Sequence, residues 1–304
     1  MAISRTQLVK ELEPGLNALF GLEYKRYENQ HAEIYVTESS DRAFEEEVML
    51  SGFANAQTKA EGQGVSFDVA QETYTARYTH DTIALAFAIT EEAIEDNLYD
   101  RISSRYTKAL ARSMSNAKQV KAVTPLIDGL PSTDGFDSGD GVSLFNTAHT
   151  TVSGTNVKNT LTTQADLNET SLEQSLIDIA AMTDERGLRI AARGVKMIIP
   201  SANQFTAERL MKSQGRTGTA DNDINAIGSM GMIPQGYRVN NYLTDSDSFY
   251  IITDVPNGMK MFQRAPLKTA MEGDFDTGNV RYKARERYSF GVSDYRGIFG
   301  VEGA

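Results

Sequence analysis

Three histidines, His31, His80 and His149, are the only imidazoles in the chain, and there is no cysteine. Thiolate nucleophiles, cysteine metal sites and disulfides are excluded at once. A serine hydrolase would set its nucleophile on an elbow of the G-x-S-x-G kind. The nearest strings, Gly228-Ser229-Met230-Gly231 and Gly291-Val292-Ser293-Asp294, do not fit it. His149, with Ser143 upstream in a polar loop, is the one place where a hydrolase or lyase could be sought. Asp134 to Gly141 and Asp274 to Gly278 resemble calcium loops, but a twelve-position loop of that kind closes on a glutamate. Counted from Asp137 the closing residue is Ala148, and from Asp274 it is Arg285. Asp274 to Asn279 reads instead as a tight turn between strands. No phosphate loop and no dinucleotide fingerprint is present, and the glycines of 215–236 follow a helical stretch with no lysine in place. The sequence therefore predicts no catalytic, metal or cofactor site.

What stands out is a row of charge. Over 280–292, Val280, Tyr282, Ala284, Tyr288, Phe290 and Val292 share one face, broken by Glu286, while Arg281, Lys283, Arg285 and Arg287 share the other. Alternation at period two is the mark of a strand with an apolar and a cationic side. Four like charges in a row repel unless something acidic lies opposite. Single-stranded nucleic acid is an alternative partner, but period two puts the aromatics on the face away from the cations, so stacking and charge do not converge. The formal net charge of -11 also argues against broad nucleic-acid affinity. An acidic protein surface, in this chain or its neighbour, is the favoured partner.

The elements that must carry this strand can be read along the chain. Residues 1 to about 45 read as an extended arm, with a helical pattern at Leu8, Leu12, Leu16 and Leu19 interrupted by Pro14-Gly15. Residues 53–89 read as a long hairpin followed by a buried strand over Ile83 to Ile89; in the hairpin Val65, Phe67 and Val69 alternate, Lys59 to Gly64 form the tip, and Tyr74, Ala76, Tyr78 and His80 return. A long helix follows from an N-cap at Thr90, with Ile94, Leu98, Ile102, Tyr106, Leu110, Met114, Ala117 and Val120 in one stripe, ending before Pro125. Its acids come first and its bases later, as the helix dipole favours. The spacing further predicts helices over 171–186, stopped by Gly187, and over 201–211. Strands are predicted over 195–199, 237–241, 248–252 and 259–262, with a loop over 213–236. No apolar run is long enough for a membrane span or a signal peptide.

This order of parts resembles the major capsid proteins of tailed bacteriophages. The carrying residues are Tyr74-Thr75-Ala76-Arg77-Tyr78 running into Phe87-Ala88-Ile89-Thr90-Glu91-Glu92 and the long helix. With them go Leu144-Phe145-Asn146-Thr147-Ala148-His149, similar to a segment of Mu-type head subunits, and Tyr288 to Gly297 at the close. The resemblance implies an α+β chain of the Hong Kong 97-type capsid fold. It implies an N-terminal arm over 1–52, an extended hairpin (E-loop) over 53–82, and a peripheral domain over 83–135 and 264–304 with spine helix 90–123. A connecting region would cover 136–164, and an axial domain 165–263 with a mobile loop at 213–236.

The function so implied is a non-enzymatic head subunit. Copies of it would form pentamers and hexamers and then an icosahedral shell, assembled in the host bacterial cytoplasm, around double-stranded DNA bound without sequence specificity. The chain begins too near the arm for a scaffolding segment, which implies a separate scaffolding protein or an already processed chain; a portal and decoration proteins are the other implied partners, with no membrane. Contacts between subunits are expected at Lys59, Glu61, Arg77, Arg281, Lys283, Arg285 and Arg287. No crosslink is expected, because Lys59 has no identifiable asparagine and glutamate to match it. An encapsulin-type nanocompartment shell is the alternative reading, and a hydrolase using His149 a remote one.

Overall fold

Two four-stranded sheets carry the chain. The computed structural model describes residues 5–90, 92, 99–215, 224–273 and 278–304, with side chains at all of these except 5–13 and 99–102. In chain order the described elements begin with α1 (Arg5–Arg26), β1 (Val36–Ser39), β2 (Phe44–Leu50), β3 (Glu72–Thr79), β4 (Asp81–Ile89) and α2 (Tyr99–Asp128). There follow β5 (His149–Thr150), β6 (Asn156–Val157), α3 (Glu169–Ala181), β7 (Gly194–Ile199), α4 (Gln204–Lys212) and α5 (Ala226–Met230). The chain closes with β8 (Tyr237–Val239), β9 (Phe249–Thr253), β10 (Met259–Gly273), β11 (Val280–Val292) and β12 (Ile298–Val301).

The first sheet has the order β1-β10-β11-β4, with β1 parallel to β10 and the other pairs antiparallel. Its β11 is the alternating strand of the sequence. Val280, Tyr282, Ala284, Glu286 and Tyr288 are buried, and Arg281, Lys283 and Arg285 are exposed. Helices α1 and α2 cover the buried face, where Leu16 and Phe20 meet Leu110, Ala111, Met114, Tyr282 and Ala284. The second sheet, β12-β9-β7-β8, lies in the larger core with Leu172 and Ile179 of α3. β2 and β3 form a separate two-stranded hairpin.

Several expectations are corrected. Residues 5–26 are not an extended arm but one helix running through Pro14-Gly15. A proline and a glycine inside a helix cost about 3 and 1 kcal/mol. Burial of Leu16 and Phe20 offsets this at about 1.5–3 kcal/mol each. Thr269 and Tyr282 also donate to Asn17 Oδ1, at 2.7 and 2.8 Å. The spine helix does not stop at residue 123 but continues through Pro125 to Asp128. Its last carbonyls are met by side chains: Tyr35 donates to Ala122 (2.7 Å), Thr124 to Val120 (3.1 Å) and Tyr250 to Leu126 (3.3 Å). Of its predicted start, 91 and 93–98 lie outside the described residues. The turn expected at Asp274 to Asn279 likewise falls mostly on 274–277, outside the described residues.

The strand expected at Val65 to Val69 does not form. β3 pairs instead with β2, and 51–71 has no strand because nothing lies beside it to complete a ladder. Helix α3 ends at Ala181, short of Gly187, because Asp184 Oδ1 takes the amides of Arg186 and Leu188 in a tight turn that Gly187 closes at φ +82°. β10 extends well past Phe262. Register shifts between Gln263 and Lys268 absorb Pro266, which could not sit in a regular ladder. The loop at 213–236 contains α5.

Candidate functional site

The three histidines are structural pins. His149 is fully buried, with Nδ1 2.6 Å from Asp140 Oδ2 and Nε2 3.1 Å from Asn159 Oδ1. It stacks on Tyr295 at 3.8 Å. Both ring nitrogens are engaged, and Ser143 Oγ donates to the Phe145 carbonyl at 3.4 Å, so no serine is aimed at the imidazole. The Asp-Gly string thus serves to present Asp140. Burial pushes that carboxyl up, but the bonds from His149 and Ser138 outweigh it and hold it below its usual range. His80 bridges Ser40 (2.9 Å) and Ser289 (3.0 Å), and His31 sits 2.9 Å from Gln119 Nε2. Among the described residues no cluster of acids and histidines suits a metal ion.

The β2–β3 hairpin and the loop it carries hold a run of exposed apolar side chains. The hairpin's root is clamped to the first sheet. Glu47 bonds Lys260 at 2.5 Å and also Ser293, Glu38 lies 3.2 Å from Lys260, and Tyr78 OH is 2.5 Å from Ser293 Oγ. Burial works against the Lys260 ammonium, yet the two carboxylates hold its pKa above the usual value. Gly291 is required here, since a Cβ would stand 2.6 Å from the Tyr78 ring. Beyond the root, Val48, Leu50, Phe53, Val65, Phe67 and Val69 are exposed, Phe67 at 95%. Lys59 and Glu61 stand exposed at the tip. Arg77 lies on β3 opposite Glu46, 3.8 Å away, with its guanidinium 4.0 Å over the Phe44 ring. One tether returns the loop to the body: Arg186 donates to the Val69 carbonyl at 2.6 Å and lies 3.9 Å from Asp68.

The second surface is the cationic face of β11, directed away from α1 and α2. Arg281 lies in register with Glu272, the one acid opposite the row among the described residues, while Arg285 lies opposite Lys268. On the β4 side the row meets Ala88, Ala86, Ala84 and Thr82. Among the described residues of the sheet none in register with Lys283 or Arg285 is acidic, and small neighbours leave both open to approach. The hairpin root packs on the continuation of this same face, where Tyr78 lies over Gly291 and His80 bonds Ser289 at 3.0 Å.

The sequence profile described as phage capsid protein matches residues 73–301. The chain belongs to the phage capsid protein family. Its fold is that of solved shells: the capsid of an empty GTA particle (TM-score 0.58, 12% identity, 90% of this chain and 89% of that one). A second is the procapsid of bacteriophage JBD30 (TM-score 0.55, 13% identity, 99% and 77%). A third is a virus-like particle from Pyrococcus furiosus (TM-score 0.54, 10% identity, 95% and 98%). No curated protein matches. The capsid protein thus has the Hong Kong 97-type fold expected from its sequence. Among its described residues no helix is long and apolar enough to cross a membrane.

In this capsid protein the helix-covered side of the first sheet holds an ion pair that sequence reading missed. Glu286, fully buried on the otherwise apolar face of β11, meets Lys118 of α2 at 3.1 Å and Tyr24 of α1 at 3.5 Å. Burial raises the Glu286 pKa, against the pull of Lys118 and Tyr24. A lone carboxylate breaking an apolar stripe was the available signal, for it demands a buried cation. Beside it His31, also packed on Phe290, is held neutral. Burial, then the Lys118 charge, lowers its pKa from 6.5 to about 4. The unfolded chain binds a proton there below about 6.5 and the folded chain does not until about 4, so stability must fall as pH falls through that window. The gap corresponds to about 3 kcal/mol. Denaturant titrations between pH 7 and 4 should show that loss, and His31→Gln should flatten it; an unchanged slope in the variant would refute the assignment.

Proposed function

We propose that copies of this chain are the building blocks of a virion head, joining head-to-tail into pentamers and hexamers that close into an icosahedral shell around double-stranded DNA. The observation that carries this reading is the clamped hairpin whose apolar residues, Phe67 above all, are bare in the single subunit. Exposed apolar area of this kind on a chain of capsid fold is area meant for another copy. In this reading residues 1–52 form the arm and 53–82 the hairpin that reaches the next subunit. Residues 83–135 and 264–304 form the peripheral domain, 136–164 connect, and 165–263 form the axial domain with 213–236 near the capsomer centre. Lys59, Glu61, Arg77, Arg281, Lys283, Arg285 and Arg287 lie at subunit boundaries. A scaffolding protein, a portal and decoration proteins complete the particle, which assembles in the host cytoplasm. Heterologous contacts that close by rotation generate such rings.

Negative-stain electron microscopy of the purified protein, with sizing chromatography, tests the reading. Uniform shells, tubes or five- and six-fold rings support it. A chain that stays monomeric at high concentration even with its scaffold co-expressed refutes it. The cationic row gives a second check. Charge reversal of Arg285, an exposed side chain, should leave folding intact and reduce assembly at low salt at least about tenfold. Assembly at the parent's rate would remove the row from the interface. An encapsulin-type shell is the second reading, favoured by the likeness to a virus-like particle. Nuclease-protected DNA inside purified particles separates the two.

A further inference from the structure

The loop between β2 and β3 is closed at its base and free beyond it. Ser51, itself buried, donates its amide to the Gln71 carbonyl at 2.9 Å, and the Gln71 amide returns to Ser51 Oγ at 3.0 Å. Gly52 then turns the chain away at φ +66°, a conformation that residues with a Cβ rarely adopt. From Phe53 to Ala70 every residue is exposed. A stretch so placed has many directions open to it, and fixing one of them costs conformational entropy.

Two contacts nevertheless set its direction. Asp68 joins the outgoing and returning limbs, its Oδ2 accepting the Ala54 amide at 2.7 Å and its Oδ1 the Val69 amide at 2.9 Å. Arg186 joins this pair of limbs to the body, donating from Nη2 to the Val69 carbonyl at 2.6 Å, with Asp68 Oδ1 3.9 Å away. The body end of the tether is rigid. Asp184 Oδ1 takes the Arg186 amide at 2.9 Å and the Leu188 amide at 2.7 Å, and the adjoining Glu185 is buried against Arg296. The Ser153 amide donates to the Glu185 carbonyl at 3.0 Å. Of the two ends the loop is the softer, so it takes its pose from Arg186.

What the tether leaves alone decides its purpose. It grips a carbonyl and a carboxylate, while the apolar side chains of the same stretch, Val65, Phe67 and Val69, remain 69%, 95% and 75% exposed. A contact made for the subunit's own stability would bury them. A contact that withheld the loop from a partner would cover them. This one holds the backbone and shows the side chains.

We propose that Arg186 is a positioning residue for assembly: by holding residues 68–69 it presents the hairpin loop to the next copy in one pose, so that ordering of the loop precedes contact. This rests on the shell reading, and it holds whichever surface of the next copy receives the loop. A segment fixed beforehand in its bound conformation associates more strongly, because binding no longer has to order it. Arg186 does this from within its own subunit.

Arg186→Gln, Asp68→Asn and the double variant test the proposal by urea midpoint, hydrogen exchange of the free subunit and light scattering during assembly. All three should keep the parent's midpoint, because the tether lies at the surface. Arg186→Gln should let the Ala54 and Val69 amides exchange at least about threefold faster. It should slow assembly at least about tenfold. Arg186→Lys, which retains a cationic donor for the Val69 carbonyl, should assemble faster than Arg186→Gln. The double variant should be no slower than the slower single one, since both act through one tether. With parent particles formed, the shell reading stands and three results each overturn the proposal: Arg186→Gln assembling at the parent's rate or faster, unchanged exchange at Ala54 and Val69, or losses that multiply in the double variant. Should Arg186→Gln disturb the fold, Asp68→Asn decides by its assembly rate, and the parent's rate there overturns the proposal. If the parent forms no particles even with its scaffold, both readings fall.

Discussion

Arg296→Met is expected to lower folding stability by about 3–5 kcal/mol, a large share of the roughly 5–15 kcal/mol that a folded domain commands. Arg296 is 1% exposed, and every polar atom of its guanidinium has an assigned partner: Glu185 at 2.5 Å, Asp294 at 3.3 Å and the Thr183 carbonyl at 2.9 Å. Glu185 and Asp294 are themselves buried, and burial raises the Asp294 pKa against the pull of Arg296. Removing the cation strands two carboxylates in a medium that cannot hydrate them, and that penalty rather than the lost attraction sets the size of the effect. Arg296→Lys should recover little, since a single ammonium cannot reach three partners in a planar fork. Glu185→Gln added to Arg296→Met should restore part of the loss. Urea midpoints measure all three variants, and a single variant within about 1 kcal/mol of the parent would show that the network is hydrated after all.

This network also marks where sequence reading stopped. The string Ser293-Asp294-Tyr295-Arg296-Gly297 carries no local reason for its residues. Glu185 and Thr183, which explain Arg296, are more than a hundred positions away. Alternation, by contrast, is a local signal, and the two faces of β11 were readable residue by residue because one neighbour on each side suffices to bury or expose them. The helix through Pro14 and the extension through Pro125 were unreadable for the opposite reason. Their local cost is offset by Leu16, Phe20, Asn17, Tyr35 and Tyr250, whose contacts come from remote strands and helices. The hairpin was legible as a hairpin, but its pairing was not. Val65, Phe67 and Val69 carry the period of a strand, and the isolated subunit supplies no partner for it.

Phe67→Asp should separate folding from assembly. The parent side chain is 95% exposed, so the fold has nothing to lose, and subunit stability should stay within about 0.5 kcal/mol. On the proposed shell contact, burial of the phenylalanine contributes about 1.5–3 kcal/mol, and a carboxylate in its place adds a desolvation penalty. A loss of about 3 kcal/mol weakens each link more than a hundredfold. Light scattering and sizing chromatography should therefore find a folded subunit that fails to assemble at concentrations where the parent closes shells. The effect compounds, because a ring closed by head-to-tail contacts needs every link. Mixtures of parent and variant should thus lose particles faster than in proportion to the variant fraction. A strictly proportional loss would mean that the hairpin adds to each contact without being needed for closure, and particles at the parent's concentration would mean that Phe67 faces solvent in the shell as it does in the subunit.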